Sequence, residues 1–157
     1  MYTKDNKSAS HPSIAVFSQE MIDTFEGMKS DPQIALDYLI DLGNTLPPFP
    51  SIARKEENLV SGCLARVWID SHYEKGRLFL QGDSDAMITK GLLALLIFIF
   101  SAQPIGDIIA NDFSFLMKIP LPQWLGRQRR AGMASMVQRI RTLAHHYQKQ
   151  AELHSAW

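Results

Sequence analysis

A run of nine consecutive apolar residues, at positions 92–100, is the feature that most limits what this 157-residue chain can fold into. A helix that spans a membrane needs roughly 20 apolar residues, so the run is too short to cross a bilayer. We therefore predict that it forms the middle of a buried helix, which the rest of the chain must cover. A chain of this length can bury such a core, and we expect one domain.

Apolar residues recur at steps of three and four in several other segments, which indicates further helices. The predicted helices cover residues 14–28, 32–43, 104–110 and 129–150. At the start of the predicted helix 32–43, Asp31 can cap the helix and Pro32 suits the first helical position. We also expect Asp83, Ser84 or Asp85 to cap the helix that contains the apolar run, since carboxylates suit a helix start.

The segments whose patterns predict β-strands lie between these helices. Residues 64–72 alternate well enough for a strand, residues 74–76 read as a turn, and residues 77–81 form the return strand. Residues 59–60 are a candidate for a very short strand, and the proline-rich connection at 44–58 is irregular. The predicted fold class is α+β, with a small antiparallel sheet of about three strands packed against several α-helices.

Composition and charge narrow the possible partners. The formal net charge is zero, so we expect neither nucleic acid nor a membrane as a partner. No acid lies between Asp112 and Glu152, so the C-terminal third is basic, as either a solvated helix face or a docking surface for an acidic protein. We predict a flexible N-terminal extension at 1–13, one domain at 14–150 and a tail at 151–157.

Cys63 is the only cysteine, so the chain can form no internal disulfide and no Cys-rich zinc or iron–sulfur site. We expect no bound metal or cofactor and a reducing location, the cytoplasm. The first residues also lack the pattern of a secretory signal. On residue type alone, a lone cysteine is either a small buried apolar side chain or a reactive thiol.

Four segments together carry a resemblance to a known family. These segments are Gly62 and Cys63 followed by Val-Trp at 67–68, Gly-Asp-Ser-Asp-Ala at 82–86, Tyr-Leu-Ile-Asp-Leu-Gly at 38–43, and Arg-x-x-Gly-Met-x-x-Met at 129–136. Over about residues 18–147 the chain resembles the SufE family of sulfur-acceptor proteins. The chain departs from that pattern after the cysteine, where Leu-Ala-Arg at 64–66 replaces residues that are commonly polar.

The resemblance implies a function for Cys63. It implies a fold similar to that of iron–sulfur scaffold proteins, and a thiol that takes persulfide sulfur from a pyridoxal-phosphate cysteine desulfurase. Cys63 then stimulates that enzyme and passes sulfur toward an iron–sulfur scaffold, so the chain is an accessory protein with no catalysis of its own. Arg66, Asp85 and Arg129 are the candidate residues that contact the partner.

Two other hypotheses remain open at this point. The first is a thiol-based redox or regulatory module, although no second cysteine exists to resolve an oxidised Cys63. The second is a cysteine hydrolase, which needs a histidine base beside the thiol. None of the five histidines is well placed for that role: His11, His72, His145, His146 and His154.

Overall fold

The computed structural model describes residues 11–155, so most of the predicted N-terminal extension and residues 156–157 lie outside the described range. Within that range a three-stranded antiparallel sheet packs with five α-helices, which confirms the α+β class. The helices are α1 (Ile14–Gly27), α2 (Pro32–Asn44), α3 (Met87–Phe100), α4 (Ile105–Ala110) and α5 (Gly126–Ser155). The strands are β1 (Val67–Glu74), β2 (Arg77–Ser84) and β3 (Gln103–Pro104).

The predicted central helix is α3, and the other elements cover it. Of residues 92–100, all but Phe98 are buried, and α3 packs against α1, α2, α5 and strand β2. The crossing with α2 is close, because a Cβ atom on Gly91 would lie 2.2 Å from the carbonyl oxygen of Leu39. This apolar helix therefore forms the centre of the core, and no helix of residues 11–155 is long and apolar enough to cross a membrane.

The sheet contains the predicted hairpin but a different third strand. Strands β1 and β2 pair from Val67 with Ser84 to Glu74 with Arg77. The third strand is β3, which pairs with Arg77 and Leu78, and not residues 59–60. Leu59 makes only a single bridge to Trp68, because the chain turns away at once into the loop that carries the cysteine.

The segment 82–85 does not cap α3, so the predicted capping role is wrong. Strand β2 continues to Ser84, three residues beyond the predicted end, and Asp83 is therefore a strand residue opposite Trp68. The N-cap of α3 is Ala86, which provides no side-chain hydrogen bond. Asp85 lies just before the cap, and its carboxylate accepts a hydrogen bond from the backbone N–H of Arg66.

At both ends of the described range, residues outside the predicted domain 14–150 contact it or continue its helices. Ser13 caps α1, and the side-chain amide of Gln103 donates to the carbonyl oxygen of Pro12 at 3.0 Å. Asp31 caps α2 as predicted, accepting hydrogen bonds from two backbone N–H groups. Helix α5 begins three residues before the predicted start at 129 and continues to Ser155, into the segment predicted as a tail.

Candidate functional site

Cys63 lies at the tip of a short loop, residues 61–66, which we call the Cys63 loop. The loop is closed at its base, where the backbone N–H of Val60 donates to the carbonyl oxygen of Val67 at 2.8 Å. The bridge between Leu59 and Trp68 continues this pairing by one step. The base of the loop is thus fixed to the start of β1, while its tip projects toward α5.

Gly62 is the residue that lets the tip approach α5. Its φ of +93° lies in the region that L side chains rarely adopt. A Cβ atom at this position would lie 2.3 Å from the hydroxyl oxygen of Ser135 on α5, well inside contact distance. Glycine is therefore required here both by backbone conformation and by space.

The thiol of Cys63 is half-buried against the same helix. Its Sγ atom donates a weak hydrogen bond to the carbonyl oxygen of Gly132 at 3.4 Å. A Cβ atom on Gly132 would lie 3.4 Å from Sγ, about van der Waals contact distance, so the sulfur packs directly on this part of α5. Burial raises the pKa of the Cys63 thiol, since the thiolate is less well solvated than in water. In this conformation the thiol is protonated at neutral pH.

Asp85 holds the C-terminal end of the Cys63 loop. Its carboxylate accepts the backbone N–H of Arg66 at 3.0 Å, and its own backbone N–H donates to the carbonyl oxygen of Arg66 at 3.2 Å. The pair of bonds clamps the loop end to the segment that leads into α3. The side chain of Arg66 itself is exposed.

Asp83 is a buried carboxylate that binds two partly exposed cations. Its carboxylate binds the guanidinium of Arg54 and, at 3.2 Å, the ammonium of Lys90. Burial alone would raise the pKa of Asp83, but bonds from Arg54, the Ser84 backbone N–H and Lys90 together lower it. The Arg54 guanidinium also lies over the ring of Trp68, 5.0 Å from its centroid. This network fixes the base of the hairpin next to the site.

The arginines of α5 mostly anchor connecting segments, which the sequence did not predict. Arg139 donates to the carbonyl oxygens of Glu57 and Leu59, just before the Cys63 loop. Arg130 donates to the carbonyl oxygens of residues 121 and 122, and Arg141 donates to that of residue 111. Several basic residues of the C-terminal third therefore hold connecting segments in place, and Arg139 positions the chain just before the Cys63 loop.

An open cleft of about 530 Å³ lies beside Cys63. It is lined by residues 63–65 of the loop, by Ala86 and Thr89 at the start of α3, and by residues 125–129 and Gly132 around the start of α5. Arg129, the candidate partner contact, thus lines the same cleft as Cys63, together with Arg127, which the sequence analysis did not single out. Leu64 is 83% exposed on the same loop.

The histidines and acids form no second reactive centre in the described part of the chain. No histidine is among the residues that line the cleft. His72 lies in β1, where its ring stacks on that of Phe79 at 4.9 Å and faces Glu74 at 3.4 Å. Among residues 11–155 no group of three or more His, Cys, Asp or Glu side chains could hold a metal ion.

These features define a one-cysteine α+β protein whose thiol opens into a cationic cleft, and comparison with known proteins identifies its family. The domain family described as "SufE: Fe-S metabolism associated domain" matches residues 19–144. The chain therefore belongs to the SufE family, which supports a role in iron–sulfur metabolism.

Individual relatives agree with this assignment. An uncharacterized SufE-like protein of Rhizobium meliloti is 38% identical over 112 residues, covering 68% of this chain and 80% of that protein. SufE-like protein 1, chloroplastic/mitochondrial, of Arabidopsis thaliana is 30% identical over 135 residues, which cover 85% of this chain but 36% of the plant protein. The solution structure of a hypothetical protein from Thermus thermophilus has the same fold, with a TM-score of 0.67 at 17% identity, covering 82% of this chain and 93% of that one.

Proposed function

We propose that this protein accepts sulfur from a pyridoxal-phosphate cysteine desulfurase onto Cys63, stimulates that enzyme, and passes the sulfur to an iron–sulfur scaffold. The observation that carries the proposal is the position of the single cysteine, at the tip of an anchored loop beside an open cleft. One thiol suffices to carry one sulfur atom. Without a second cysteine in the chain, the persulfide cannot resolve into an internal disulfide.

The reaction is a sulfur exchange that parallels thiol–disulfide exchange. Cys63 loses its proton, and its thiolate attacks the outer sulfur of the persulfide on the enzyme's cysteine. The sulfur–sulfur bond of the donor breaks, the enzyme's cysteine leaves as a thiolate, and Cys63 becomes the persulfide. Transfer to the scaffold repeats the same exchange with Cys63 as the leaving thiolate.

The resting site protects the thiol until a partner binds. Burial against Gly132 keeps Cys63 protonated, and a protonated thiol is a poor nucleophile and resists oxidation. The contact with α5 is weak, so a docking partner can draw the loop tip outward while Asp85 holds its end. Arg66 and Arg129 are exposed near the cleft and are the candidate partner contacts, with Asp85 beside them. A reducing compartment such as the cytoplasm suits this chemistry.

The proposal is tested by measuring alanine production by a cysteine desulfurase with and without this protein. The wild-type chain is expected to increase turnover, and Cys63→Ser is expected to abolish the increase while its circular dichroism stays unchanged. Ser61→Ala, in the same loop, is the matched control and should retain the stimulation. Stimulation by Cys63→Ser equal to that of the wild type would contradict the proposed mechanism.

A further inference from the structure

Three positions on α5 contact the Cys63 loop and the chain just before it. The carbonyl oxygen of Gly132 accepts the weak hydrogen bond from the Cys63 sulfur, and Ser135 lies against Gly62. The third position is Arg139, one turn further along the helix. Positions 132, 135 and 139 are three and four residues apart, so they share one face of the helix. This face of α5 therefore holds the loop in its resting position.

Arg139 is the member of this face that makes charge-assisted hydrogen bonds. One terminal guanidinium nitrogen donates to the carbonyl oxygen of Leu59, and the other donates to that of Glu57 at 3.4 Å. A hydrogen bond from a charged donor is about twice as strong as a neutral one, whereas a thiol is a weak donor. The bonds of Arg139 therefore contribute more to the position of the loop than the thiol bond of Cys63 does.

Open space lies beside both arms of the Cys63 loop. The cleft of about 530 Å³ is lined by residues 63–65. A second groove, of about 200 Å³, is lined by Val60, Ser61 and four residues of α5, Arg139 among them. Each arm of the loop therefore borders open space, and the bonds of Arg139 can determine how often the loop leaves α5.

We propose that Arg139 is a positioning residue that sets how often the Cys63 loop leaves its closed position, in which the thiol is half-buried. Arg139 acts through the backbone before the loop, at residues 57 and 59. A loop that is held less firmly exposes the thiol in a larger fraction of molecules. A reagent or partner that needs the exposed thiol then reacts in proportion to that fraction.

The position of the loop also governs sulfur transfer, a step that rests on the proposed function. A desulfurase must draw the loop tip away from α5 before its persulfide can meet the Cys63 thiolate. The apparent affinity of the enzyme for this protein is therefore reduced in proportion to the fraction of molecules whose loop is open. Weakening the closed position should improve half-saturation and leave the maximal stimulation unchanged, because at saturation every loop is drawn out.

Alkylation of Cys63 by iodoacetamide, at fixed pH and without denaturant, measures the open fraction. Arg139→Ala should raise the rate about fivefold, the factor expected for the loss of one hydrogen bond. Arg139→Lys keeps the charge but has a single donor nitrogen, so its rate should lie between those of the wild type and Arg139→Ala.

Arg141→Ala is the matched control for the alkylation measurement. Arg141 is also half-buried on α5, but it donates to the carbonyl oxygen of Asn111, so its loss should leave the rate unchanged. An unchanged rate in Arg139→Ala, or an equal acceleration by Arg141→Ala, would overturn the proposal. If Arg139→Ala does not fold, Arg139→Lys decides, and a rate equal to that of the wild type would overturn the proposal.

Alanine production by a desulfurase, measured with the same variants, tests the link to sulfur transfer. Arg139→Ala should lower the half-saturating concentration of this protein by the same factor of about five and leave the maximal rate unchanged. A substitution that only destabilised the fold would raise that concentration, because less folded protein would be present. A raised half-saturating concentration or a lowered maximal rate would therefore overturn the positioning role.

The two measurements separate this proposal from the proposed function. Faster alkylation of Arg139→Ala, with no stimulation of a desulfurase by the wild type, would leave the positioning role intact and reject the proposed function. Stimulation by the wild type with unchanged alkylation of Arg139→Ala would do the reverse.

Discussion

At the scale of single residues, the site depends on close contacts between the Cys63 loop and α5. Gly62 lies against Ser135, and Cys63 lies against Gly132. Gly62 provides space that any other residue would fill, and Gly132 presents bare backbone to the Cys63 sulfur. Cys63 is thereby held against a helix surface in a protonated, half-buried state. The position of the loop therefore determines how far the thiol is buried.

Replacing Gly62 by alanine should destabilise the protein by about 1–3 kcal/mol. The substitution combines a φ of +93° with a Cβ atom that would lie 2.3 Å from the Ser135 hydroxyl oxygen. Urea unfolding measures the change. The matched control is Gly106→Ala in α4, where an added Cβ atom meets nothing within 4 Å and helix propensity favours alanine. Equal stability of the two variants would show that the Gly62 conformation is not required.

The rate of Cys63 alkylation by iodoacetamide should rise with pH through a midpoint above that of the unfolded chain. Burial raises the pKa of the thiol in the folded state, so the protonated form contributes stability below the ordinary thiol pKa. That contribution is lost as the pH rises through the raised value. The rates are measured in buffer and in urea across the alkaline range. A folded midpoint at or below the unfolded one would contradict the burial of the thiol.

At the scale of elements, the Cys63 loop is held at both ends by side chains from distant segments. Arg139 on α5 fixes the chain before it, and Asp85, between β2 and α3, fixes its C-terminal end. The Gly-Asp-Ser-Asp segment at 82–85 is therefore a support for the loop. Gly82 lies close beneath α3, where a Cβ atom would be 3.0 Å from a Leu93 methyl group.

Asp85→Ala should release the end of the loop and speed the alkylation of Cys63 severalfold, because Arg66 loses the carboxylate that accepts its backbone N–H. The expected loss of stability is about 1 kcal/mol, typical of one intramolecular hydrogen bond. Alkylation at fixed pH and urea unfolding measure both effects. Asp41→Ala, which removes an exposed acid from α2, should change neither. An unchanged alkylation rate in Asp85→Ala would remove this residue from the support of the loop.

The sequence predicted the elements better than their connections. The helices, the hairpin and the Asp31 cap follow from periodicity and local propensity, which act over a few residues. The roles of Asp83 and Asp85 could not be predicted in this way, because a carboxylate before a helix suits a cap equally well. Their actual partners, Arg54 and Arg66, lie 29 and 19 residues away along the chain.

The candidate site was predicted in part for the same reason. Cys63 and Arg129 were found through a resemblance of motifs, and the fold brings both to one cleft. Thr89 and Arg127 gave no signal, since a threonine in an apolar helix and an arginine in a basic segment are ordinary. Their positions at one cleft depend on the meeting of two helix starts, which is a property of tertiary packing.

At the scale of the whole molecule, one face combines the cleft, two arginines and an exposed apolar residue beside the thiol. Leu64 is 83% exposed next to Cys63. An isolated exposed leucine needs no explanation, but one adjacent to Cys63 lies where the proposed desulfurase partner would approach.

Leu64→Ser should raise severalfold the concentration of this protein that half-saturates the desulfurase, because burial of the leucine on binding is lost. Stability in urea should stay within about 0.5 kcal/mol of the wild type, as for other exposed positions. Met117→Ser is the control, since Met117 is 91% exposed and is not among the residues that line the cleft. Equal half-saturation by both variants would exclude Leu64 from the docking surface.

The central claim is that Cys63 carries sulfur, and intact-protein mass after incubation with a desulfurase and cysteine tests it most directly. The account predicts a gain of one sulfur atom that reductant reverses and that Cys63→Ser does not show. A wild-type mass unchanged under conditions in which the desulfurase turns over would contradict the account.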